Sequence, residues 1–196
     1  MSEWIKSYKN IKWEYMLLKE KMLYYMDGGV TFQVASPNFQ DGDMLDLRHA
    51  HTDCNGENIM PTIGWDTVPV KTESFAIIVD DPDAPNGTWD HLVAWNIPGD
   101  KKEITHDDLK TIMIGKNSWD KNEYGGPCPP LIRADDRPDS GTYPPIGSGE
   151  HRYFFKIYAL DTMLDLDKNT TKEDLESAMK GHILGSNQIM GKYIRE

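Results

Sequence analysis

Asp81 and Asp83 lie two residues apart in the run Asp81-Pro82-Asp83-Ala84-Pro85, with prolines between and after them. Proline fixes φ and pushes the residue before it toward extended geometry, so this turn holds two carboxylates in one shape at little entropic cost. Carboxylates held this way can orient an imidazole or serve acid–base chemistry. Two imidazoles are candidates: His91, and His151 followed by Arg152 and Tyr153. Between them, Tyr124-Gly125-Gly126-Pro127-Cys128-Pro129-Pro130 joins glycines that permit close backbone approach to prolines that stiffen a wall. If the strands bearing these residues are neighbours, both histidines and both aspartates meet at one end of a sheet. There a carboxylate raises the proton affinity of an imidazole, making the histidines donors to an incoming anion near neutral pH. Backbone N–H groups of the Gly/Pro loop would add neutral donors.

Other chemistries need patterns this chain lacks. His91, His151, Asp81 and Cys128 could nominally ligate a metal, but no HExxH or paired CxxC accompanies them, so no metal site is expected. No dinucleotide or P-loop fingerprint occurs, and no cofactor is expected. Ser118, Ser140 and Ser148 sit on no strand-to-helix elbow, which leaves Cys128, beside two histidines, as the strongest nucleophile for a hydrolase. Plainer roles compete at several positions. Asp83 is the kind of turn aspartate that bonds its own backbone. Arg152 alternates with His151, so it should face the other way and pair with an acidic residue. His49, His51, His106 and His182 lack supporting pattern and read as surface residues.

The elements that must position these groups are mainly strands. Residues 75–79 form an unbroken apolar run of the kind buried on both faces, and 91–97 form a second. Shorter strands are expected at 30–35, 45–48 and 111–114, then a long Gly/Pro loop over 115–149 and a strong strand over 151–160. Thr170 with Glu173 predicts a capping box ahead of a helix bearing Leu175, Met179 and Ile183, and a further turn or two of helix is expected at 189–194. Strands in one block with helices at the ends imply an antiparallel, mainly β fold. Trp4, Tyr8, Ile11, Tyr15, Leu18, Met22 and Tyr25 recur at steps of four and three, the stripe of an N-terminal helix that Gly28-Gly29 ends. This divides the chain into a helical extension, 1–28, and a domain, 29–196. The stripe suits pairing of two copies into a homodimer as well as packing on its own domain.

Composition narrows the class. The 196 residues fit one domain with an appendage, and the net charge of −11 disfavours nucleic acid and anionic membrane surfaces as partners. Any anion must therefore be held locally. Cys54 and Cys128 are the only cysteines and read as reduced thiols, in keeping with a cytoplasmic protein. Lysines break every apolar run near the N-terminus, so neither a secretory signal nor stable membrane insertion is expected.

At these residues the chain resembles the phosphatidylethanolamine-binding proteins, also called Raf kinase inhibitor proteins, especially their bacterial and archaeal subgroup. The likeness runs through SPNFQDGDMLDL at 36–47, CNGENIMPTIGWDTVP at 54–69, FAIIVDDPDAP at 75–85, WDHLVAWNIP at 89–98, GKNSWDKNEYGGPCPP at 115–130 and HRYFFKIYALD at 151–161. It implies a Greek-key-like antiparallel β-sandwich, a large central sheet plus a smaller one, flanked by C-terminal helices, to which this chain adds its N-terminal helix. It also implies a small pocket at one end of the sandwich for phosphate, a phosphorylated lipid head group or a carboxylate anion. Asp81, His91, His151 and Tyr153 match the positions that form that pocket, and Trp89, Pro85, Cys128 and Pro129 match its walls. Binding and regulation, with a kinase or peptidase as protein target in some members, are implied rather than enzymatic turnover. Two stretches depart from the family pattern: the N-terminal helix and a longer insert over 131–150. Within and after that insert, Tyr143-Pro144-Pro145-Ile146-Gly147-Ser148-Gly149-Glu150-His151 imitates the family's proline spacing, which makes it a second candidate wall. Inhibition of a protein target through the insert is the third function the sequence allows.

Overall fold

The computed structural model describes residues 32–130 and 149–195, so the expected N-terminal helix and nearly all of the insert lie outside the described residues. Among these residues, eight strands and one α-helix follow one another as β1 (Gln33–Ala35), β2 (Ile63–Asp66), β3 (Ser74–Asp81), β4 (Trp89–Pro98), β5 (Glu103–Ile104), β6 (Met113–Ile114), β7 (Glu150–Leu160), α1 (Lys172–Met179) and β8 (Ile183–Ile194). They make a five-stranded sheet in the order β6-β4-β3-β7-β8 and a three-stranded sheet in the order β1-β2-β5. Every pairing is antiparallel.

The apolar run of β3 is buried along its whole length because each face has its own cover. Phe75, Ile77 and Val79 point into the core between the sheets, with Tyr153, Phe155 and Ile157 of β7 and with Ile63, Trp65 and Ile104 of the smaller sheet. Ala76 and Ile78 point the other way, into a second cluster with Trp95, Leu175 and Met179 beneath α1. Burying an Ile or Leu side chain contributes about 1.5–3 kcal/mol, so the centre of the large sheet is fixed from both sides. The site is built at its end.

Several expectations are corrected. The helix starts one residue later than expected: Thr171 accepts from the Asp174 backbone, and the Asp174 carboxylate accepts from Thr171 N at 3.0 Å. Thr170 is buried and its carbonyl receives Lys116 N at 2.7 Å, so it belongs to the preceding loop. Residues 189–194 are strand, not helix, and Ile183 begins that strand rather than ending the helical stripe. Gly181, at φ 85°, turns the chain out of the helix, and β8 then pairs with β7 along its full length. Its buried positions, Ile189, Gly191 and Tyr193, recur at every second residue, the period of a strand with one face in the core. Among the described residues one C-terminal helix is present, not several. Residues 45–48 form no strand: Asp46 accepts from Arg48 N at 2.9 Å and winds Leu47–His49 into a 3-10 turn, leaving a single bridge from Met44 to Lys192.

The cysteines are not free. Cys54, on the 3-10 turn Thr52–Cys54, is disulfide-bonded to Cys128, with Cα atoms 5.6 Å apart. His51 holds the two segments together, donating its backbone N–H to Pro127 O at 3.0 Å while its own carbonyl accepts from Cys54 N at 2.9 Å. A disulfide leaves no thiolate at Cys128, and it removes the ground for reading a reducing compartment from the cysteines. No helix among the described residues is long and apolar enough to cross a membrane.

Candidate functional site

β3 and β7 are neighbours, and their register sets Asp81 beside the start of β7, where His151 Nδ1 donates to Asp81 Oδ2 at 2.7 Å. Both side chains are buried. The other carboxylate oxygen of Asp81 accepts from Asp83 N at 2.8 Å, so Asp81 ties the proline turn and orients the imidazole together. Tyr153, on the same face of β7, donates its hydroxyl to Asp81. Burial, followed by the Asp81 charge, pushes the phenol far above its usual range, so it remains a proton donor.

His91 reaches the cluster through a bulge. Val79 pairs with Leu92 and Asp80 with Asp90, which leaves His91 as an extra residue on β4. A bulge re-aims a side chain, and here it turns His91 toward Asp81 instead of the helix side that strict alternation from Leu92 would give it. The backbone of Gly125 then clamps it: Gly125 N donates to His91 O at 3.0 Å, and His91 Nδ1 donates to Gly125 O at 2.5 Å. A Cβ at Gly125 would stand 2.5 Å from the Trp119 ring, so this approach requires glycine.

The result is a cleft of about 320 Å³ at one end of the large sheet. Asp81, His91, His151 and Tyr153 form its polar floor, and Pro85, Trp89, Cys128 and Pro129 stand in its walls. The wall is thus formed by the 126–130 prolines among the described residues; the alternative stretch at 143–148 lies outside them. Asp83 is not in the cleft. Its carboxylate grips Arg152 at 2.8 and 2.9 Å on the outer face, and that guanidinium holds the carboxyl below its usual range. Arg152 thus points away from His151 and pairs with an acid, as alternation predicts.

The electrostatics differ from expectation at His91. Burial lowers its proton affinity to about 4, outweighing the Gly125 bond and the Asp81 and Asp80 charges that act the other way. The ring is neutral near pH 7 and is not the ready donor that a nearby carboxylate alone would make. The glycine amides are also committed, Gly125 N to His91 O and Gly126 N to Asn58 Oδ1 at 2.6 Å. Of the 125–130 run, only the Cys128 amide is left without a partner among the described residues.

Sequence reasoning missed Trp119 and Asn86, which also line the cleft. Trp119 stacks on His51 at 5.6 Å and meets the rings of Trp89 and His91 edge-on at 5.3 and 5.2 Å. Its signal was Asn117, whose side-chain oxygen accepts from Trp119 N and Lys121 N and fixes the turn. His49 is not a surface residue but is buried, with Nδ1 donating to Ile59 O at 2.7 Å. His51 is only half-buried, under Trp119, and His106 accepts from Met60 N at 3.2 Å. His182 is exposed beside Asp161. No group of metal-binding side chains occurs among the described residues.

This sandwich with a polar cleft at the end of its large sheet is the architecture of a known family. The family model "Phosphatidylethanolamine-binding protein" matches residues 35–137 and 140–194, and the chain belongs to that family. A UPF0098 protein of Methanothermobacter thermautotrophicus is 42% identical over 163 residues, 80% of this chain and 95% of its own length. One from Aquifex aeolicus is 38% identical over 175 residues, 86% of this chain and 92% of its own. Among solved structures, E. coli YbcL, described as a new member of the mammalian family, superposes with a TM-score of 0.71 at 28% identity, covering 85% of this chain and all of that one. A Chlamydia trachomatis homolog superposes with a TM-score of 0.70 at 29% identity, covering 85% of this chain and 99% of its own.

Proposed function

We propose that this chain is a binding and regulatory protein whose cleft captures a small anion, a phosphate-like group or a phosphorylated head group. The observation that carries this is the convergence of the Asp81–His151 pair, His91 and Tyr153 on the floor of one concave site. Asp81 accepts from His151 Nδ1 at 2.7 Å and so orients the second imidazole in the cleft, where it can meet an anion. The Cys128 amide supplies a neutral donor from the wall. Cys128 is tied up in a disulfide, so the hydrolase reading that used it as the nucleophile loses that nucleophile. The family resemblance supports modulation of a kinase or peptidase as the use of binding.

Titration calorimetry with O-phosphorylethanolamine tests the site. His91→Ala and His151→Ala are each expected to weaken binding at least tenfold while far-ultraviolet circular dichroism stays unchanged, since a hydrogen bond to a charged group contributes about 1.5–3 kcal/mol. Equal binding by wild type and both variants sinks the proposal.

A further inference from the structure

We infer that the cleft selects anions that bring their own hydrogen, such as phosphate monoesters in the hydroxyl-bearing form, over phosphodiesters and sulfate. This rests on the anion-binding reading above and deepens it.

A carbonyl oxygen only accepts, so His91 Nδ1 must carry the hydrogen of its 2.5 Å contact with Gly125 O. In the neutral ring the other nitrogen, Nε2, is then a lone pair. No hydrogen bond to Nε2 is formed among the described residues, and the ring lines the cleft. An anion arriving there meets an acceptor. Sulfate or a diester sets lone pair against lone pair unless the ring first takes up a second proton. A monoester that keeps one hydroxyl can donate it to Nε2 and needs no such uptake.

The surroundings of the ring decide what that uptake costs. Trp119 and Tyr153 pack edge-to-face against it at 5.2 and 5.1 Å and help to bury it. Asp81 and Asp80 on β3 favour the charged ring, His51 opposes it, and His151 lies on β7 in the same cleft. Burial exceeds all of these and sets the proton affinity at about 4. Charging the ring at pH 7 therefore costs about a thousandfold in affinity, tenfold for each pH unit. A phosphate monoester, whose second ionisation lies near pH 6, is about one-tenth hydroxyl-bearing at pH 7, a cost of about tenfold. The difference is about a hundredfold in favour of the monoester. A phosphorylated head group cleaved from its lipid has the required hydrogen, and one still esterified to glycerol lacks it.

The test is calorimetry on the whole chain at pH 7, 6 and 5 and fixed ionic strength, with four probes: inorganic phosphate, O-phosphorylethanolamine, sulfate and glycerophosphorylethanolamine. O-phosphorylethanolamine is expected to bind about a hundredfold more tightly than its diester at pH 7 and about tenfold at pH 5. Sulfate affinity should rise about tenfold per unit as the pH falls, and inorganic phosphate should change little. Equal binding of monoester and diester at pH 7, or a gap that ignores pH, overturns the selection and leaves the anion site standing. Absence of binding by all four overturns the anion site and the selection with it.

Discussion

At the residue scale, the site contains two histidines with different partners. His151 has a carboxylate on Nδ1, and His91 has a carbonyl there inside an aromatic cage. The second arrangement makes the protein acid-sensitive. Unfolded, His91 takes its proton near 6.5; folded, only at about 4. The unfolded chain therefore binds more protons between those values, so stability is complete above pH 6.5 and falls as the pH drops toward 4. The loss should approach about 2–3 kcal/mol by pH 4.5, with His49, lowered by its own burial, adding in the same direction. Urea midpoints at pH 7.5, 5.5 and 4.5 measure it, and His91→Gln should flatten the slope. A slope unchanged in that variant would place the sensitivity elsewhere. Asp83 acts only in stronger acid, because its lowered carboxyl keeps its contribution until the pH passes below 3.8. The identities of these residues were legible in the sequence and their electrical roles were not. The Gly125 contact that orients His91 and the bulge that permits it leave no mark on the apolar pattern of residues 91–97, and neither does the burial that lowers its proton affinity.

At the element scale, one strand supplies two opposite functions. Asp81 faces the cleft, and its neighbour Asp80 faces α1, where it accepts from Lys156 Nζ at 2.6 Å and Lys172 Nζ at 2.7 Å. Lys172 also reaches Asp90 at 3.1 Å and so fastens the first turn of the helix to β3 and β4 together. Removing one partner of a buried charge usually costs about 3–5 kcal/mol, but Lys156 would remain, so Lys172→Met is expected to cost about 2 kcal/mol. Chemical denaturation of the variant checks this, and wild-type stability would show that the bridge contributes nothing. Strands β3 and β4 could be read from sequence because two-sided burial gives continuous apolar runs, and β7 because its buried residues recur at every second position. β8 could not: Gly185 to Gln188 is polar and small, and Met179 with Ile183 mimics a helical step across the turn at Gly181. Pairing with β7, which is a tertiary fact, makes it a strand.

At the scale of the whole molecule, the cleft wall is held from a distance. Cys54 and Cys128 are separated by 74 residues, a gap that contains all of β2 to β6, and no local pattern announces that they meet. The family likeness located both segments without linking them, and composition argued for free thiols. In the chain-entropy model, closing a loop of that length restricts the unfolded state by about 4 kcal/mol at 25 °C, with strain in the native state able to subtract from it. A dithiol reductant should therefore lower the unfolding free energy by roughly 2–4 kcal/mol, and the Cys54→Ser, Cys128→Ser double variant should start from that lower value and ignore the reductant. Because Cys128 stands in the cleft wall and Cys54 lies outside it, the same treatment separates two roles of the bond. If it serves the fold alone, phosphate affinity is unchanged while the urea midpoint falls. If it also holds the wall, affinity falls with it, most sharply for the contact made by the Cys128 amide. Identical stability of oxidised and reduced protein would show that the segments around Pro127 and His51 hold the wall without the sulfur bridge.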